Sequence, residues 1–532
     1  MSGAAARAAT VLQRLALLLS LLALGYGIQL ALGPWRDQAL QVDELHFANC
    51  AVQAWSAGSW PSLGCHDNKP PLVYLVYQVL VTLAQGYSPP VLKLAAYAVL
   101  AVLTGLCAAL GQRLAGRSGA LVSASLVLLA LAPDSSLHAL KTETLGMCLV
   151  LSAALLLAPR TDQPGRRRLA MAGLLLGLAV LTKQTYALIP LLLPLWLYLA
   201  DPQPRTGLRL RGAIVGGLCC GGVALLVLAA FWFWCWSQGR SEDLLASFFL
   251  YPAVYGQGPP AGAQAWSYRV VDLLIGVSEQ RYLLALGLLA AMLQGLLDRS
   301  RPATAPDRLR LLLVLITLAL LLPLLVAPNL FTYHLIVIWA MGAPLAAGAL
   351  GGLTQSLAKR WPAAPALPSL LLLATALTTL VQTWQNQAGH GQSLPAAAPV
   401  RLPEAPGRYG YLLGFPDPTF YLDNGLRPSS ELLFPWALPG FQASWAYTPP
   451  RPGSALADRL GAVQQRNLQR LFADFGRNPP AYIAVVSEPG WQLPSGRVSL
   501  VEGVDAYLAS HCEQHATRAA SRGRQVALFR CF

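Results

Sequence analysis

The chain is 532 residues long, 55% hydrophobic and only 12% charged, with a mean hydropathy of +0.48. Soluble proteins carry about a quarter charged residues, so a cytosolic enzyme, a nucleic-acid-binding module or a disordered scaffold fits poorly, and the recurring apolar runs describe a polytopic membrane protein. The net charge of +14, from 38 basic and 24 acidic residues, then belongs to cytoplasmic loops rather than to a nucleic-acid partner.

A spanning helix needs about 20 mostly apolar residues. In chain order such segments fall at 12–32, 90–110, 119–138, 142–158, 168–182, 185–200, 212–236, 271–296, 310–327, 334–352 and 363–383. Segment 70–86 is short, opens with Pro70-Pro71 and carries Gln78 and Gln85. With it left out of the count, one set of loops holds Arg7; Arg113 and Arg117; Arg160 and Arg166 to Arg168; Arg205, Arg209 and Arg211; Arg299, Arg301, Arg308 and Arg310; and Lys359 with Arg360. The opposite set holds only Arg36, Lys69, Lys93, Lys141, Lys183, Arg240 and Arg269. Counting 70–86 as a span destroys this alternation, and cytoplasmic loops are the ones that retain Lys and Arg. The reading is eleven spans in the plasma (inner) membrane with a cytoplasmic N-terminus. Segment 70–86 lies along the outer interface as an amphipathic or re-entrant helix. No small-residue cleavage site follows 15–32, so a cleaved signal peptide is not expected.

Three stretches then lie outside: a loop at 33–89, an aromatic-rich loop at 237–270, and the tail beyond 384. The expected division is a membrane domain at 1–384, an Ala/Pro-rich linker at 385–406 and an extracytoplasmic domain at 407–532. In the last, strand-like runs at 408–415, 481–486 and 525–532 alternate with a helical pattern at 454–475, which predicts a small α/β fold. Cys50, Cys65, Cys512 and Cys531 are outside in this scheme. They can close two disulfides, most simply Cys50–Cys65 and Cys512–Cys531, although spacing alone does not fix the pairing.

The first outer loop reads Val42-Asp43-Glu44-Leu45-His46, then Gly58-Ser59-Trp60, then His66-Asp67-Asn68-Lys69-Pro70-Pro71-Leu72. Adjacent carboxylates followed by a lysine before a double proline suit proton transfer or acceptor contact and a fixed cation for a phosphate. They also suit a solvated acidic turn with an interfacial lysine anchor. Only five lysines occur in the chain, and Lys69, Lys93, Lys141 and Lys183 all fall near the outer face. Charges placed near membrane depth are costly and mark function by default.

The order and spacing of Asp43-Glu44, Gly58-Ser59-Trp60 and Lys69-Pro70-Pro71-Leu72 resemble the GT-C glycosyltransferases, in the superfamily of the protein O-mannosyltransferases and the bacterial aminoarabinose transferase. Further pieces match downstream. Lys93-Leu94 stands where relatives open a span with a basic residue. Lys141-Thr142-Glu143-Thr144-Leu145 carries Glu where relatives carry Asp, and Gly177-Leu178-Ala179-Val180-Leu181-Thr182-Lys183 repeats a family motif. Tyr333-His334 resembles a His/Tyr motif of many relatives.

The resemblance implies a GT-C fold: an all-α polytopic membrane domain of about 11 transmembrane helices with the small α/β domain appended. It implies transfer of a sugar from a polyprenyl-phosphate carrier to a lipid, glycan or protein acceptor on the extracytoplasmic side, with inversion. Asp43 is then the general base. Glu44 and Glu143 support the acceptor or the acid pair, and Lys69, Lys93 and Lys183 bind the donor phosphate. His66, Tyr251, Tyr255, Tyr333 and His334 are candidate substrate-lining residues. The sequence holds no metal-ligand spacing and no nucleotide motif, so no cofactor is expected and a divalent metal stays open. Two other readings are a catalytically silent relative that binds glycan and a flippase for lipid-linked sugars. The latter predicts broken helices with polar residues near mid-membrane and internal repeats, whereas the sequence shows no repeat and its polar residues gather at one face.

Overall fold

The computed structural model describes residues 42–56, 69–131, 139–158, 164–201, 206–255, 304–326, 332–358, 405–414, 419–432, 453–487, 503–519 and 525–532, with a few single positions elsewhere. The chain divides into two compact units, one formed by 1–39, 93–231 and 262–390, the other by 40–92, 232–261 and 391–532. The second unit thus gathers most of 33–89, part of 237–270 and the tail.

The first unit is helical. Pro89–Leu131 is two helical arms joined by a kink at Ala115 and Gly116, where φ of Gly116 is +68°. Its two arms correspond to the expected spans 90–110 and 119–138, and the Ser123 hydroxyl donates to the Cys107 carbonyl across them at 2.8 Å. Helices Thr142–Leu157 and Arg166–Val180 pack on each other, as do Leu188–Ala200 and Ala305–Val326. The Trp196 indole donates to the Arg308 carbonyl at 2.9 Å. Gly173 and Gly177, one turn apart on Arg166–Val180, let that helix lie directly on the backbone of Cys220 and Ala224 in Thr206–Ser237; a Cβ on Gly177 would sit 3.0 Å from the Ala224 carbonyl oxygen. Small residues spaced by four are how helices approach closely where no hydrophobic force drives them together.

Among the described residues, Pro89–Leu131, Thr206–Ser237 and Ala305–Leu325 are long and apolar enough to cross a membrane. Leu218, Leu225 and Leu226 stand exposed on Thr206–Ser237, a surface that hydrocarbon rather than water would cover. Shorter apolar helices coincide with the expected spans at 142–158, 185–200 and 334–352. Segment 271–296, and 12–32 and 363–383 apart from scattered helical positions, lie outside the described residues.

The second unit opens with helix Val42–Ser56, which packs on Leu72–Leu83. The latter has 12 residues, about 18 Å at 1.5 Å per residue and short of the ~30 Å hydrocarbon core. It buries Val73, Tyr74, Tyr77 and Val81. Farther on, five strands form one sheet: β1 (Tyr409–Gly414), β2 (Arg427–Pro428), β3 (Tyr482–Ser487), β4 (Cys512–Ala519) and β5 (Gln525–Cys531), in the order β2-β1-β3-β5-β4. β1 is parallel to β2 and β3, and β5 is antiparallel to β3 and β4. Helix Ala455–Arg477, whose start is capped by the Ser454 hydroxyl accepting from the Ala457 amide at 3.2 Å, connects β2 to β3. It buries Leu471 and Phe475 against Tyr411, Ile483 and Val485. The expected strands at 408–415, 481–486 and 525–532 and the helix at 454–475 are all present. β4, the two-residue β2 and helix Val504–His511 were not anticipated. Cys512 and Cys531 face each other across β4 and β5 and form the expected disulfide. Cys50 is also disulfide-bonded; Cys65, its expected partner, lies outside the described residues.

Candidate functional site

The expected site residues fall into two groups, one in each unit. In the second unit, Asp43 opens helix Val42–Ser56, where a carboxylate complements the positive end of the helix dipole. Lys69 precedes Pro70, which keeps a residue before it extended, and Pro71 caps Leu72–Leu83. This brings the Lys69 ammonium to 3.6 Å from the Asp43 carboxylate, with both side chains about three-quarters buried at 24% and 26% exposure. The same ammonium lies 5.5 Å from the centre of the Phe47 ring, within cation–π range. Phe47 in turn rests edge-on against Tyr74, at 5.2 Å, and tilted against Tyr77, at 5.4 Å. The cation is therefore seated on an aromatic shelf from one helix and fixed by the proline start of the next.

Glu44 is fully buried, and His46 is buried with its Nε2 3.7 Å from the Cys50 sulfur. Burial, reinforced by the Glu44 and Asp43 carboxylates, pushes the Tyr77 phenol well above its usual range. Tyr87 is raised by burial, by Asp423 and by Glu44. Asp423 belongs to the tail domain, and the short helix Thr419–Leu422 just before it packs on Val42–Ser56, so the tail domain lies against the helix that carries the acid pair.

Residues 240–243 are fastened to the same domain. Arg240 binds Glu431 at 2.8 Å and Asp243 at 3.4 Å; Arg470 reaches Asp243 at 3.3 Å and also Glu431; Arg466 pairs with Glu242 and, at 3.6 Å, with Asp243. Tyr251 is buried here with Ala246, Val254 and Leu460, its hydroxyl 3.5 Å from the Asn467 amide nitrogen. It packs against the tail helix. Tyr255 ends the helix Tyr251–Tyr255, and its side chain lies outside what is described, as does His66 altogether.

In the first unit, three distant segments meet at Glu143. Thr144 caps the start of Thr142–Leu157 by accepting from the Lys141 amide at 3.2 Å and donating to the Lys141 carbonyl at 3.0 Å. This sets Glu143 in the first helical turn, with only 3% of its side chain exposed. Helix Arg166–Val180 ends before Lys183, which is extended and followed by a 3-10 turn, Gln184–Ala187. That break turns the Lys183 ammonium onto the Glu143 carboxylate as a hydrogen-bonded ion pair. His334, in the 3-10 turn Thr332–Leu335, places Nε2 3.8 Å from the same carboxylate oxygen. The Thr142 hydroxyl donates to the other oxygen at 2.8 Å, and the Tyr186 hydroxyl donates to the Glu143 carbonyl at 3.2 Å. Lys93 is buried on Pro89–Leu131. Tyr333 shares the turn of His334, its side chain outside the description.

Sequence reasoning thus singled out the four charges, Asp43, Lys69, Glu143 and Lys183, but not Tyr186, Gly146 beneath it, or the arginine–carboxylate cluster around Arg240. Among the described residues no group of three His, Cys, Asp or Glu is arranged to hold a metal.

Residues 68–234 match the profile of the family described as dolichyl-phosphate-mannose-protein mannosyltransferase. The stretch includes Lys69, Lys93, Glu143 and Lys183. No curated protein sequence matches the chain significantly. Among solved structures, ArnT from Cupriavidus metallidurans bound to undecaprenyl phosphate aligns with 98% of this chain and 97% of its own, at 16% identity and a TM-score of 0.52. The Archaeoglobus fulgidus oligosaccharyltransferase in complex with zinc and sulfate aligns with 88% of this chain and 67% of its own, at 14% identity and a TM-score of 0.48. The family profile and the ArnT fold agree with the motifs. The chain is similar to the GT-C glycosyltransferases of the protein mannosyltransferase and ArnT superfamily.

Proposed function

From this GT-C likeness we propose that the chain is an integral membrane glycosyltransferase that moves a sugar from a polyprenyl-phosphate carrier to an acceptor on the extracytoplasmic side, inverting the anomeric centre. The observation that carries the reading is the Asp43–Lys69 pair, a carboxylate and an ammonium held 3.6 Å apart, with Lys69 at the start of the family match and Asp43 ahead of it. The ArnT structure was captured with undecaprenyl phosphate, and a carrier of that chemistry is the donor proposed here.

The geometry suits the chemistry. One ammonium serves two anions in turn: the Asp43 carboxylate in the resting protein and the carrier phosphate once the donor binds. When Lys69 turns to the phosphate it stabilises the charge that grows on the leaving oxygen, and Asp43 is released to accept the proton of the attacking hydroxyl or amine. Attack opposite the phosphate inverts the sugar without a covalent intermediate. Lys93 and Lys183 are further cations for the donor phosphate, Glu44 and Glu143 support the acids or the acceptor, and His66, Tyr251, Tyr255, Tyr333 and His334 are the substrate-lining candidates. The accompanying topology is eleven spans in the inner membrane with the N-terminus cytoplasmic, the membrane domain ending near 384 and the domain 407–532 extracytoplasmic.

The test follows release of free polyprenyl phosphate by the purified protein and its Asp43→Asn variant. Both are supplied with a panel of polyprenyl-phosphate sugars and a membrane extract as acceptor pool. The wild type turns over, and the variant binds carrier but releases it about 10²–10⁴-fold more slowly, the range typical of a lost general base. Equal turnover would move the base to Glu44 or Glu143. Binding without release by either protein would favour a silent relative or a flippase.

A further inference from the structure

The carboxylate of Glu143 is buried and shares one oxygen between two basic groups, the Lys183 ammonium and the His334 imidazole at 3.8 Å. If Lys183 serves the donor phosphate, as the transferase reading requires, it must leave Glu143, and an uncompensated buried carboxylate is strongly disfavoured. His334 lies on the very oxygen that Lys183 would vacate. We propose that His334 is a positioning residue: by taking up a proton beside Glu143 it frees Lys183 for the carrier phosphate, so that donor binding is coupled to proton uptake. The proposal rests on the transferase reading and adds to it a link between pH and donor affinity.

The surrounding groups support this assignment. Lys141, at the start of the same helix, also acts electrostatically on Glu143, but an ammonium stays charged through neutral pH. The Thr142 hydroxyl satisfies the second carboxylate oxygen, and the Tyr186 hydroxyl is engaged by the Glu143 carbonyl. Cys148, farther along the helix, is a buried thiol whose sulfur faces the Val99 carbonyl at 3.5 Å. Among the described residues around Glu143, His334 alone is of a type that exchanges a proton between pH 6 and 8. The sign follows. At the acid end protonated His334 balances Glu143 and Lys183 is released; at the alkaline end the neutral ring leaves Lys183 bound to Glu143 and unavailable.

The probe is methyl farnesyl phosphate, a diester whose single charge does not change in this range, so any pH dependence belongs to the protein. Binding is measured by calorimetry on the detergent-purified full chain at pH 6 and 8, in buffers of different ionisation enthalpy that report proton uptake. The wild type binds about tenfold more tightly at pH 6, within the usual span of coupling between two sites, and takes up a proton on binding. His334→Gln shows the weaker, alkaline affinity at both pH values. Glu143→Gln, which no longer restrains Lys183, shows the tighter affinity at both, and it answers the question even if the histidine variant fails to fold. Affinity independent of pH in the wild type, or pH dependence retained in either variant, overturns the proposal alone. No binding of the diester at any pH overturns it together with the transferase reading.

Discussion

Beneath the Glu143 carboxylate lies a residue with no side chain to contribute. Gly146 sits one turn beyond Glu143, and a Cβ there would run into the Tyr186 ring and lie 2.6 Å from the Thr182 hydroxyl. Tyr186 is fully buried and cannot swing away, and both residues flank Lys183. Gly146→Ala should therefore destabilise the protein by about 1–3 kcal/mol, the usual cost of overpacking, and slow carrier release, as read by thermal melting and the release assay. Normal release in a fully folded variant would show that the Glu143–Lys183 pair tolerates movement. At this scale charge was legible and partnership was not. Asp43, Lys69, Glu143 and Lys183 stand out because a charge in an apolar sequence is costly and so conspicuous. That Lys183 would meet Glu143, 40 positions away, depends on a helix ending at the right place. Gly146 and Tyr186 look like any other residues of an apolar run. The burial of Tyr251 depends on a helix 216 positions farther on.

Single elements were legible where their residues dictate their conformation. β1, β3 and β5 are runs of apolar, β-branched and aromatic residues, and Ala455–Arg477 shows a helical apolar stripe. β4 reads Cys-Glu-Gln-His-Ala-Thr-Arg-Ala, with no apolar alternation to announce it. It is a strand because β5 offers it a ladder and because Cys512 and Cys531 join the two. The cross-link closes a short loop, 19 positions apart in sequence. Replacing both cysteines by serine should destabilise the tail domain by about 3 kcal/mol, from the entropy returned to the unfolded chain. Melting of the full chain should show the same loss in the wild type under reductant; no change in either experiment would make β4 self-sufficient. The break in Pro89–Leu131 was legible as two apolar runs separated by Arg113 and Arg117, whereas the hydrogen bond tying its arms was not.

At the scale of the molecule, the second unit joins stretches that are far apart in the chain. The tail domain touches the helix of Asp43 through Thr419–Leu422 and grips the segment at 240–243 through Arg240, Arg466 and Arg470. These pairs are partly exposed, with Arg240 and Arg470 at 24% and 23%, so each is worth about 1 kcal/mol or less and is screened by salt. The double variant Arg240→Ala, Arg470→Ala should lower the melting temperature at low salt and converge with the wild type near 1 M salt. Proteolysis of the 237–261 region should accelerate in parallel, and an unchanged melting curve at low salt would relegate the cluster to surface decoration. Sequence exposed the separate pieces through their change in composition, but not their union, because an arginine in a loop looks the same whether it faces solvent or a carboxylate from another segment.

Helix Ala455–Arg477 has 23 residues, whereas β1 and β3 have six each, so about 34 Å of helix serves strands of about 20 Å. Leu468, Leu471, Phe472 and Phe475 pack in the core of the sheet, whereas the N-terminal half of the helix carries Leu460 and Arg466 to the residues at 242–254. Each residue added to or removed from an α-helix turns everything beyond it by about 100°. A single insertion between Arg466 and Leu468 would keep the sheet packing intact yet swing Arg466 and Leu460 away from their partners. Lengthening by seven residues, close to two full turns, would restore their direction while displacing them by about 10 Å. The helix therefore acts as a ruler with coarse graduations: the distance between sheet and loop can change over evolution only in whole steps, each matched by an equal change in the loop that it reaches.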